Sequence, residues 1–285
     1  MLRLKVQNRM PLAAFLSSAA GSPIPSNKQA RAYIDQGLCR INGVLARKAS
    51  QEVLPGDLVE VGELSYEEAA CPILYEDDDL LIIDKPPTLT SDQETLSRYI
   101  KQPIILVHRL DKTTSGLLLL AKNRDMEIAL LELFKTRCIK KEYLALVDGK
   151  IAHAKGVIDS PLTIASKSAS HVLMKANDKG QKAITHWEKL ISCEDASLLR
   201  VMPITGKTHQ IRVHMQCFNH PILGDVRYAQ KYQCPLLVPR PLLHAFRLQF
   251  LHPRIKQEIV VQSLPPKDFL EAYNSLFSKP IEGLL

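Results

Sequence analysis

The sequence predicts an α+β protein with a large mixed, mainly antiparallel sheet and a small N-terminal α+β unit. Segments typical of strands outnumber segments with helical periodicity, and the sequence contains no internal repeat. The chain has 285 residues, enough for one large domain with a well-buried core and one small domain. We therefore predict a small domain at residues 1–62, a linker at 63–71 and a large domain at 72–285.

The small N-terminal domain is predicted to contain two helices and a hairpin. Apolar residues at helical spacing over 12–16 indicate a first helix, and Ser26 or Asn27 can cap a second helix that ends at Gly37. The next segment alternates in polarity and turns at Asn42-Gly43, which favours a tight β-hairpin. Five basic residues are expected on the outer surface of this domain: Lys28, Arg31, Arg40, Arg47 and Lys48.

Two helices followed by a hairpin resemble the alpha-L RNA-binding motif, which occurs in a ribosomal small-subunit protein and in many RNA-modifying enzymes. The resemblance covers residues 11–61 and implies that Lys28, Arg31 and Arg40 contact RNA. The Arg-Leu-Asp opening usual for the motif reads Arg9-Met10-Pro11 here, so the resemblance is weakest at the first helix. The alternative is a small docking domain with a solvated basic face.

The charge of the chain is positive and unevenly distributed. It has 37 basic and 30 acidic residues, a formal net charge of +7 and a pI near 9.0. Residues 1–62 carry 8 basic and 4 acidic side chains, residues 63–101 carry 3 and 10, and the remainder is again basic. Two basic blocks around an acidic connector suit a polyanionic partner, of which nucleic acid is the simplest.

The sequence also indicates the compartment. Six cysteines are scattered without a C-x-x-C spacing, which predicts neither a disulfide framework nor a zinc knuckle and fits a reducing cytosol. The first residues lack the apolar core of a signal peptide, and no apolar run is long enough to span a membrane. We therefore expect a cytoplasmic protein with no membrane partner.

The large domain is predicted to consist mostly of strands. Residues 103–107 and 117–121 are apolar and are interpreted as buried strands on either side of a polar turn. Residues 149–182 are polar and weakly patterned, which indicates loops and short hairpins. Further strands are predicted at residues 80–84, 143–147, 183–190, 197–202, 209–214, 246–250 and 255–261, and helices at residues 91–100 and 124–134.

The polar turn at residues 108–116 carries the main catalytic candidate. Asp111 has Arg109 and Lys112 close by and hydroxyl side chains directly after it, and such groups keep a carboxylate ionised through charge and hydrogen bonding. An ionised carboxylate on a fixed turn at the edge of a rigid sheet is suited to act as a nucleophile. The competing interpretation is an aspartate that caps the turn and pairs with Arg109.

Two other patterns suggest ligand sites that their spacing does not support. Gly206-Lys207-Thr208 resembles the end of a phosphate-binding loop, but the glycine expected five residues earlier is Val201, and residues 209–214 alternate like a strand. Three histidines near Asp225 suggest a metal, yet they follow the spacing of a strand and a loop with a single carboxylate. We therefore predict neither an ATP site nor a metal site.

Several short motifs follow one another along the large domain. They are His108-Arg109-Leu110-Asp111 with Thr114-Ser115-Gly116, Lys141-Glu142-Tyr143, the run from Thr205 to His214, the run from His220 to Asp225 with Tyr228, Leu243-His244-Ala245 and His252-Pro253. In this order they resemble the RluA family of RNA pseudouridine synthases over residues 72–262. The resemblance implies the pseudouridine synthase fold for the large domain.

The resemblance also implies roles for individual residues. The family's catalytic aspartate falls on Asp111, its active-site tyrosine on Tyr143, and the arginine that pairs with the aspartate on Arg212. The arginine associated with flipping the target nucleotide falls on Arg109.

Two departures from the family pattern affect predicted RNA contacts. The family often continues Lys-Pro with a glycine and a nearby histidine, but here Lys85-Pro86 runs into Pro87, so contacts from that loop cannot be transferred. The usual Thr-Gly-Arg is Thr-Gly-Lys, so Lys207 keeps the charge but loses a bidentate phosphate fork. Lys207 and His209 are nevertheless expected to contact RNA.

The implied chemistry fits these residue types. Conversion of uridine into pseudouridine breaks an N–C glycosidic bond, rotates the uracil and rejoins it through C5, and the family uses no metal or organic cofactor. Asp111, held charged by Arg212, would attack the nucleoside or assist departure of the base. Tyr143 would stack on the flipped uracil and take the C5 proton, while Arg109 fills the vacancy left in the RNA.

We therefore expect a monomeric, cofactor-free RNA pseudouridine synthase. Large-subunit ribosomal RNA is the expected substrate, because family members with this N-terminal domain usually modify it, and transfer RNA is the alternative. A non-catalytic RNA-binding or ribosome-assembly factor on the same fold would not require Asp111, Tyr143 and Arg212 together. A hydrolase with an aspartate nucleophile would need a second carboxylate placed to activate water, and no such pair stands out in the sequence.

Overall fold

The computed structural model describes residues 2–62, 70–167, 172–229 and 231–285. The linker predicted at residues 63–71 lies almost entirely outside these ranges. Among the described helices, none combines the length and the apolar character needed to cross a membrane.

Residues 2–62 form a four-stranded antiparallel sheet that shares one apolar core with two helices. The predicted hairpin is confirmed: Asn42 and Gly43 have φ angles of 51° and 77°, as a two-residue hairpin turn requires. Ser26 caps the second helix by accepting a hydrogen bond from the backbone N–H of Gln29. The elements are β1 (Leu2–Lys5), β2 (Met10–Pro11), α1 (Leu12–Ser18), α2 (Asn27–Asp35), β3 (Cys39–Ile41), β4 (Val44–Leu45), β5 (Glu52–Val53) and β6 (Leu58–Val61).

The rest of the chain is built on a ten-stranded mixed sheet, so the predicted α+β class is confirmed. Its main path runs β12-β15-β16-β11-β17-β10-β8-β7, with β18 paired to β17 and β9 to β10. The strands are β7 (Ile73–Glu76), β8 (Leu80–Lys85), β9 (Ile105–Leu106), β10 (Ser115–Ala121), β11 (Lys140–Asp148), β12 (Lys155–Asp159), β15 (Ile184–Ser192), β16 (Ala196–Pro203), β17 (Leu243–Leu251) and β18 (Glu258–Gln262). A separate hairpin is formed by β13 (Leu162–Lys167) and β14 (Val172–Ala176).

Helices cover this sheet and complete its cores. Helix α3 begins slightly later than predicted, because Asp92 caps it by accepting from the Thr95 N–H. The cores include Leu96 and Leu130 in one cluster and Phe269 in another. The helices are α3 (Gln93–Tyr99), α4 (Arg124–Lys135), α5 (Gln210–Cys217) and α6 (Lys267–Leu276), with a 3₁₀ turn at Ile281–Gly283.

The central strands hold the turn that carries Asp111 in place. All seven residues of β10 are buried, and β10 lies between antiparallel β8 and parallel β17. The β10–β17 pair is the one parallel pairing among the described strands of this sheet. The turn that precedes β10 is therefore anchored in the middle of the sheet rather than at a mobile edge.

The strand predicted at residues 209–214 is wrong, because these residues begin helix α5. Ile211, Val213 and Met215 alternate as in a strand, but every residue from Gln210 to Met215 is buried. A helix surrounded by protein loses the one-sided pattern that distinguishes it from a strand. The argument that no helix follows Gly206-Lys207-Thr208 is therefore corrected as well, although Val201 still lacks the glycine of a phosphate-binding loop.

The expected solvent exposure of Arg40 is also wrong, because its side chain is only 5% exposed. The guanidinium donates to the carbonyl oxygens of Pro235 at 3.0 Å, Cys234 at 3.0 Å and Leu236 at 3.3 Å. These bonds dock the N-terminal sheet on the loop before β17. Lys28 and Arg31 are exposed as predicted.

Candidate active site

The predicted catalytic residues lie together in a cleft of about 1630 Å³. Asp111, Tyr143 and Arg212 all line it, and so do Arg109, Lys207 and His209. Helix α2 also reaches the cleft through Asp35 and the following residue. Lys28, Arg31 and Arg40 are not among its lining residues.

The turn that carries Asp111 is closed by its own backbone and by the sheet. The Thr114 N–H donates to the carbonyl of Asp111 at 3.0 Å, and Ser115 then starts β10. Gly116 has a φ of 105°, and a Cβ there would lie 2.3 Å from the carbonyl oxygen of Ala245. Only glycine allows β10 to approach β17 so closely directly after the catalytic turn.

Arg212 connects two aspartates and reaches Asp111 with one nitrogen. Its Nη1 donates to Oδ2 of Asp111 at 3.1 Å. Its Nε and Nη2 donate to the two oxygens of Asp225 at 2.7 and 2.8 Å. Burial opposes the charge of Arg212, but the hydrogen bonds and charge of Asp225, followed by those of Asp111, raise its pKa overall. The cation beside Asp111 is therefore permanent and fixed in direction.

The Asp111 carboxylate keeps one oxygen available to a substrate. Arg212 binds Oδ2, and the His209 Nε2 lies 3.8 Å from Oδ1, beyond hydrogen-bonding distance. The Asp111 side chain is 23% exposed, so a nucleotide in the cleft can reach it. The competing interpretation of Asp111 as a turn cap paired with Arg109 is not what the geometry shows, because the ion pair is with Arg212.

His209 and Tyr228 form a second contact pair beside this site. His209 stands at the start of α5 with a φ of 54°, and its Nδ1 lies 2.6 Å from the Tyr228 hydroxyl. The hydroxyl accepts from the Met174 N–H at 3.1 Å and can therefore donate to Nδ1, which leaves the proton on Nε2, towards Asp111. Burial lowers the pKa of His209, with Asp111 opposing this effect, so the imidazole is neutral. The Tyr228 ring also lies 5.1 Å from the Arg212 guanidinium carbon.

Tyr143 lies on β11 at an irregularity of the sheet. The β11–β17 register shifts between Glu142 and Tyr143, which leaves Phe246 of β17 as the extra residue. Such bulges redirect side chains next to active sites. Burial and then the charge of Asp111 raise the pKa of Tyr143, so its hydroxyl is protonated in the free enzyme.

The lining of the cleft is strongly basic. Eleven lysine and arginine residues line it against four carboxylates. Arg109 is exposed at its rim and Lys207 is half-buried. The basic lining residues are Arg109, Lys112, Lys135, Arg137, Lys140, Lys141, Lys182, Lys207, Arg212, Arg227 and Arg240. This charge matches a phosphate backbone, which binds proteins mainly through lysine and arginine.

The histidines considered as metal ligands are engaged elsewhere. His214 contacts Thr185 and the Ser160 carbonyl, and His220 contacts the Asp148 carbonyl. Within the described ranges, one group places potential ligand atoms within 4.8 Å of one another: Asp77, Asp79 and His252. Arg254 and Asn123 already bind the Asp79 carboxylate, and Lys122 donates to the backbone of Asp77. This group lies outside the cleft.

Asp225 and Tyr228 received no role from the sequence. Both belong to a loop that is as polar as an ordinary surface loop. Asp225 binds Arg212, 13 residues earlier, and Tyr228 contacts His209, 19 residues earlier. The available signals were that Asp225 ends the motif that starts at His220 and that Tyr228 follows it in the same series.

Comparisons with known proteins identify the family of the chain. A family model described as RNA pseudouridylate synthase matches residues 79–217. The chain is 31% identical to a ribosomal large subunit pseudouridine synthase D of Vibrio cholerae, over 86% of this chain and 85% of that protein. It is 34% identical to a tRNA pseudouridine synthase C of Haemophilus ducreyi, over 71% of this chain and 94% of that protein.

A solved structure gives the same result for the fold. The human RNA Pseudouridylate Synthase Domain Containing 4 protein superposes with a TM-score of 0.58 at 27% identity, covering 71% of this chain and 91% of that chain. A mixed sheet with an aspartate and an arginine paired in a basic cleft is thus the framework of an RNA-modifying isomerase. The chain belongs to the RluA-type family of RNA pseudouridine synthases. It converts uridine in RNA into pseudouridine.

Proposed function

We propose that this enzyme modifies large-subunit ribosomal RNA, with Asp111 as nucleophile, Arg212 as its charge partner and Tyr143 as the residue that contacts the detached uracil. The observation that carries the catalytic assignment is the Arg212 bridge between Asp225 and Asp111. An isomerisation needs no water, oxidant or reductant: the N1–C1′ bond breaks, a C5–C1′ bond forms, and a proton leaves C5 while N1 gains one.

The free oxygen of Asp111 defines the first step. With Oδ2 held by Arg212, Oδ1 is the atom that faces the nucleoside. Arg212 places a fixed positive charge beside the carboxylate and stabilises the carboxylate anion when the bond to the substrate breaks. The Tyr143 phenol loses its own proton more easily at this stage, and it must lose that proton before its oxygen can accept the one from C5. Proton loss from Tyr143 is opposed partly by the Asp111 charge, and a covalent bond to Asp111 removes that charge.

The substrate proposal is supported by how far the relatives match. Residues 63–285 make up less than four-fifths of the chain. The relative named for large-subunit RNA matches 86% of the chain, so its similarity extends into residues 1–62. The relative named for tRNA matches 71% of the chain with 94% of its own length. Residues 63–285 are long enough to account for that match without the N-terminal domain.

The test is a map of pseudouridines in ribosomal and transfer RNA from cells with and without the gene. We expect positions lost from large-subunit RNA on deletion and restored by the wild-type gene. Losses confined to transfer RNA would replace the proposed substrate with the alternative one.

The catalytic role is tested in the same cells. Asp111→Asn keeps the size of the side chain and removes its charge, so we expect no detectable pseudouridine at the target positions. Asp78→Asn makes the same change at an exposed aspartate outside the cleft and should restore the wild-type pattern. Activity of Asp111→Asn would exclude Asp111 as the nucleophile.

A further inference from the structure

The strands on both sides of β10 each bring a buried cation to the catalytic turn. Lys85 ends β8 and is fully buried, and Arg240 stands just before β17 and is 3% exposed. Because β10 lies between β8 and β17, the two cations approach the turn from opposite sides. Neither received a role from the sequence, and neither contacts the Asp111 carboxylate.

Lys85 uses all three of its donors on backbone oxygens. Its Nζ donates to the carbonyls of Pro86 at 2.8 Å, Leu89 at 2.9 Å and Lys112 at 3.1 Å. Burial, followed by the charge of Arg240, lowers the pKa of Lys85 to about 7. The three carbonyl dipoles favour the charged form, so the ammonium is satisfied without a carboxylate in contact.

Arg240 makes the matching contact one residue further along. Its Nη1 donates to the Thr113 carbonyl at 3.1 Å, and also to the carbonyls of Pro241 and Leu243. Asp268 of α6 accepts from Nε at 2.6 Å and from Nη2 at 2.9 Å, which fixes the plane of the guanidinium. The carbonyls of the two residues that follow Asp111 are thus each held by a different cation.

We propose that Lys85 and Arg240 are positioning residues, which hold the backbone of residues 111–114 so that the Asp111 carboxylate stays in line with Arg212 and the substrate. The proposal rests on the proposed nucleophilic role of Asp111. A neutral apolar side chain at either position leaves a turn carbonyl without its donor, and the turn can then relax away from the sheet.

The experiment measures single-turnover rates and RNA affinity for Lys85→Met and Arg240→Met. We expect each variant to slow pseudouridine formation by about 10²-fold, the loss associated with a 1 Å misplacement of a reacting group. Affinity for RNA should stay unchanged in Lys85→Met, because Lys85 is fully buried and does not line the cleft. Arg240→Lys restores a cation and should recover part of the rate.

The matched control is Lys189→Met. Its Nζ donates to the carbonyls of Ile151 at 2.6 Å and Ala152 at 3.2 Å, away from the cleft. This variant loses the same kind of bond, so its thermal unfolding can change while its single-turnover rate should not. The double variant Lys85→Met/Arg240→Met should lose less than the product of the single losses, because both act on one turn.

Wild-type single-turnover rates in Lys85→Met and Arg240→Met would overturn the proposal, even with Asp111→Asn inactive. An active Asp111→Asn would instead overturn the proposed function. If Lys85→Met does not fold, Arg240→Met decides: a slower single-turnover rate at saturating RNA supports the proposal, and an unchanged rate overturns it.

Discussion

Asp225 determines where Arg212 points. Its carboxylate binds Nε and Nη2, which leaves Nη1 as the nitrogen that reaches Asp111. The Arg212 and Asp225 side chains are only 7% and 1% exposed, so this ion pair is shielded from solvent. A guanidinium held at two nitrogens has one direction left, and that direction is towards Asp111.

The stability of this buried pair is open to measurement. Asp225→Asn leaves the Arg212 charge buried with less compensation, so we expect the free energy of unfolding to fall by about 3 kcal/mol. The double variant Arg212→Met/Asp225→Leu removes both charges and should be more stable than Asp225→Asn, although inactive. Urea unfolding of the three proteins provides the comparison. A double variant that is less stable than Asp225→Asn would show that the pair is not the source of the effect.

Tyr143 offers a separate test of the last chemical step. Tyr143→Phe keeps the ring that can stack on uracil and removes the hydroxyl. If the hydroxyl oxygen takes the C5 proton, product formation should fall by ~10²–10⁴-fold, as for the loss of a general base. Binding of substrate RNA should hold, because the ring remains. Single-turnover rates decide, and unchanged rates would reduce Tyr143 to a stacking platform.

Helix α5 shows what the sequence did and did not predict at the level of elements. Arg212 of this helix was predicted to pair with Asp111, but as part of a strand at residues 209–214. Residues three apart lie on one face of a helix and on opposite faces of a strand. The helical form therefore explains why His209 and Arg212 both approach Asp111.

The sequence predicted the position of the fully buried strand β10 well. The seven residues of β10 are all buried, and its continuous apolar run indicated this directly. The contact between Asp111 and Arg212 followed from motifs on elements 101 residues apart. The sequence could not predict contacts between side chains and backbone carbonyls, such as those of Lys85. A lysine before Pro86 also fits an exposed turn.

His244 joins β10 and β17 and makes stability depend on pH. Its Nε2 faces the carbonyl of Ser263 and must donate, so Nδ1 accepts from the Ser115 hydroxyl and the ring is neutral. Burial is the main reason that its pKa is lowered from 6.5 to about 4. Between these values the unfolded chain binds a proton that the folded chain does not. The free energy of unfolding therefore falls as the pH falls from about 6.5 to 4.

The expected size of this effect is ~1.4 kcal/mol per pH unit for one histidine. Glutamine can donate to the Ser263 carbonyl and accept from Ser115 without titrating, so His244→Gln should flatten the dependence by this amount. Denaturant unfolding between pH 4.5 and 7 measures it, with the exposed His186→Gln as control. An equal slope in His244→Gln and the wild type would contradict the assignment.

At the scale of the molecule, the N-terminal domain is docked on the catalytic domain rather than simply tethered to it. Arg40 binds three carbonyls of the loop before β17, and Arg47 donates to the carbonyl of Ala229. A Cβ at Gly37 would lie 1.9 Å from a methyl group of Val226, which directly follows Asp225. The sequence could not indicate this, because an exposed and a buried arginine look alike in a basic segment.

This docking assigns the basic residues of the N-terminal domain to two different roles. Lys28 and Arg31 are exposed and three residues apart on α2, so they share one face of the helix. Asp35, four residues after Arg31, extends that face to the lining of the cleft. RNA that leaves the cleft along α2 would meet Lys28 and Arg31, whereas Arg40 is occupied by backbone carbonyls.

A salt titration of RNA binding distinguishes residues that contact RNA from residues that dock the N-terminal domain. Lys28→Ala/Arg31→Ala should weaken binding and lower the slope of log affinity against log salt by about 1 to 2, because each lost phosphate contact removes ~0.7–0.9. Arg40→Met should leave the slope unchanged and lower the thermal unfolding temperature, because it loses docking rather than phosphate. Lys279→Ala, at an exposed lysine outside the cleft, controls for the loss of charge alone. A wild-type slope in Lys28→Ala/Arg31→Ala, or a lowered slope in Arg40→Met, would mean that the RNA does not follow the exposed face of α2.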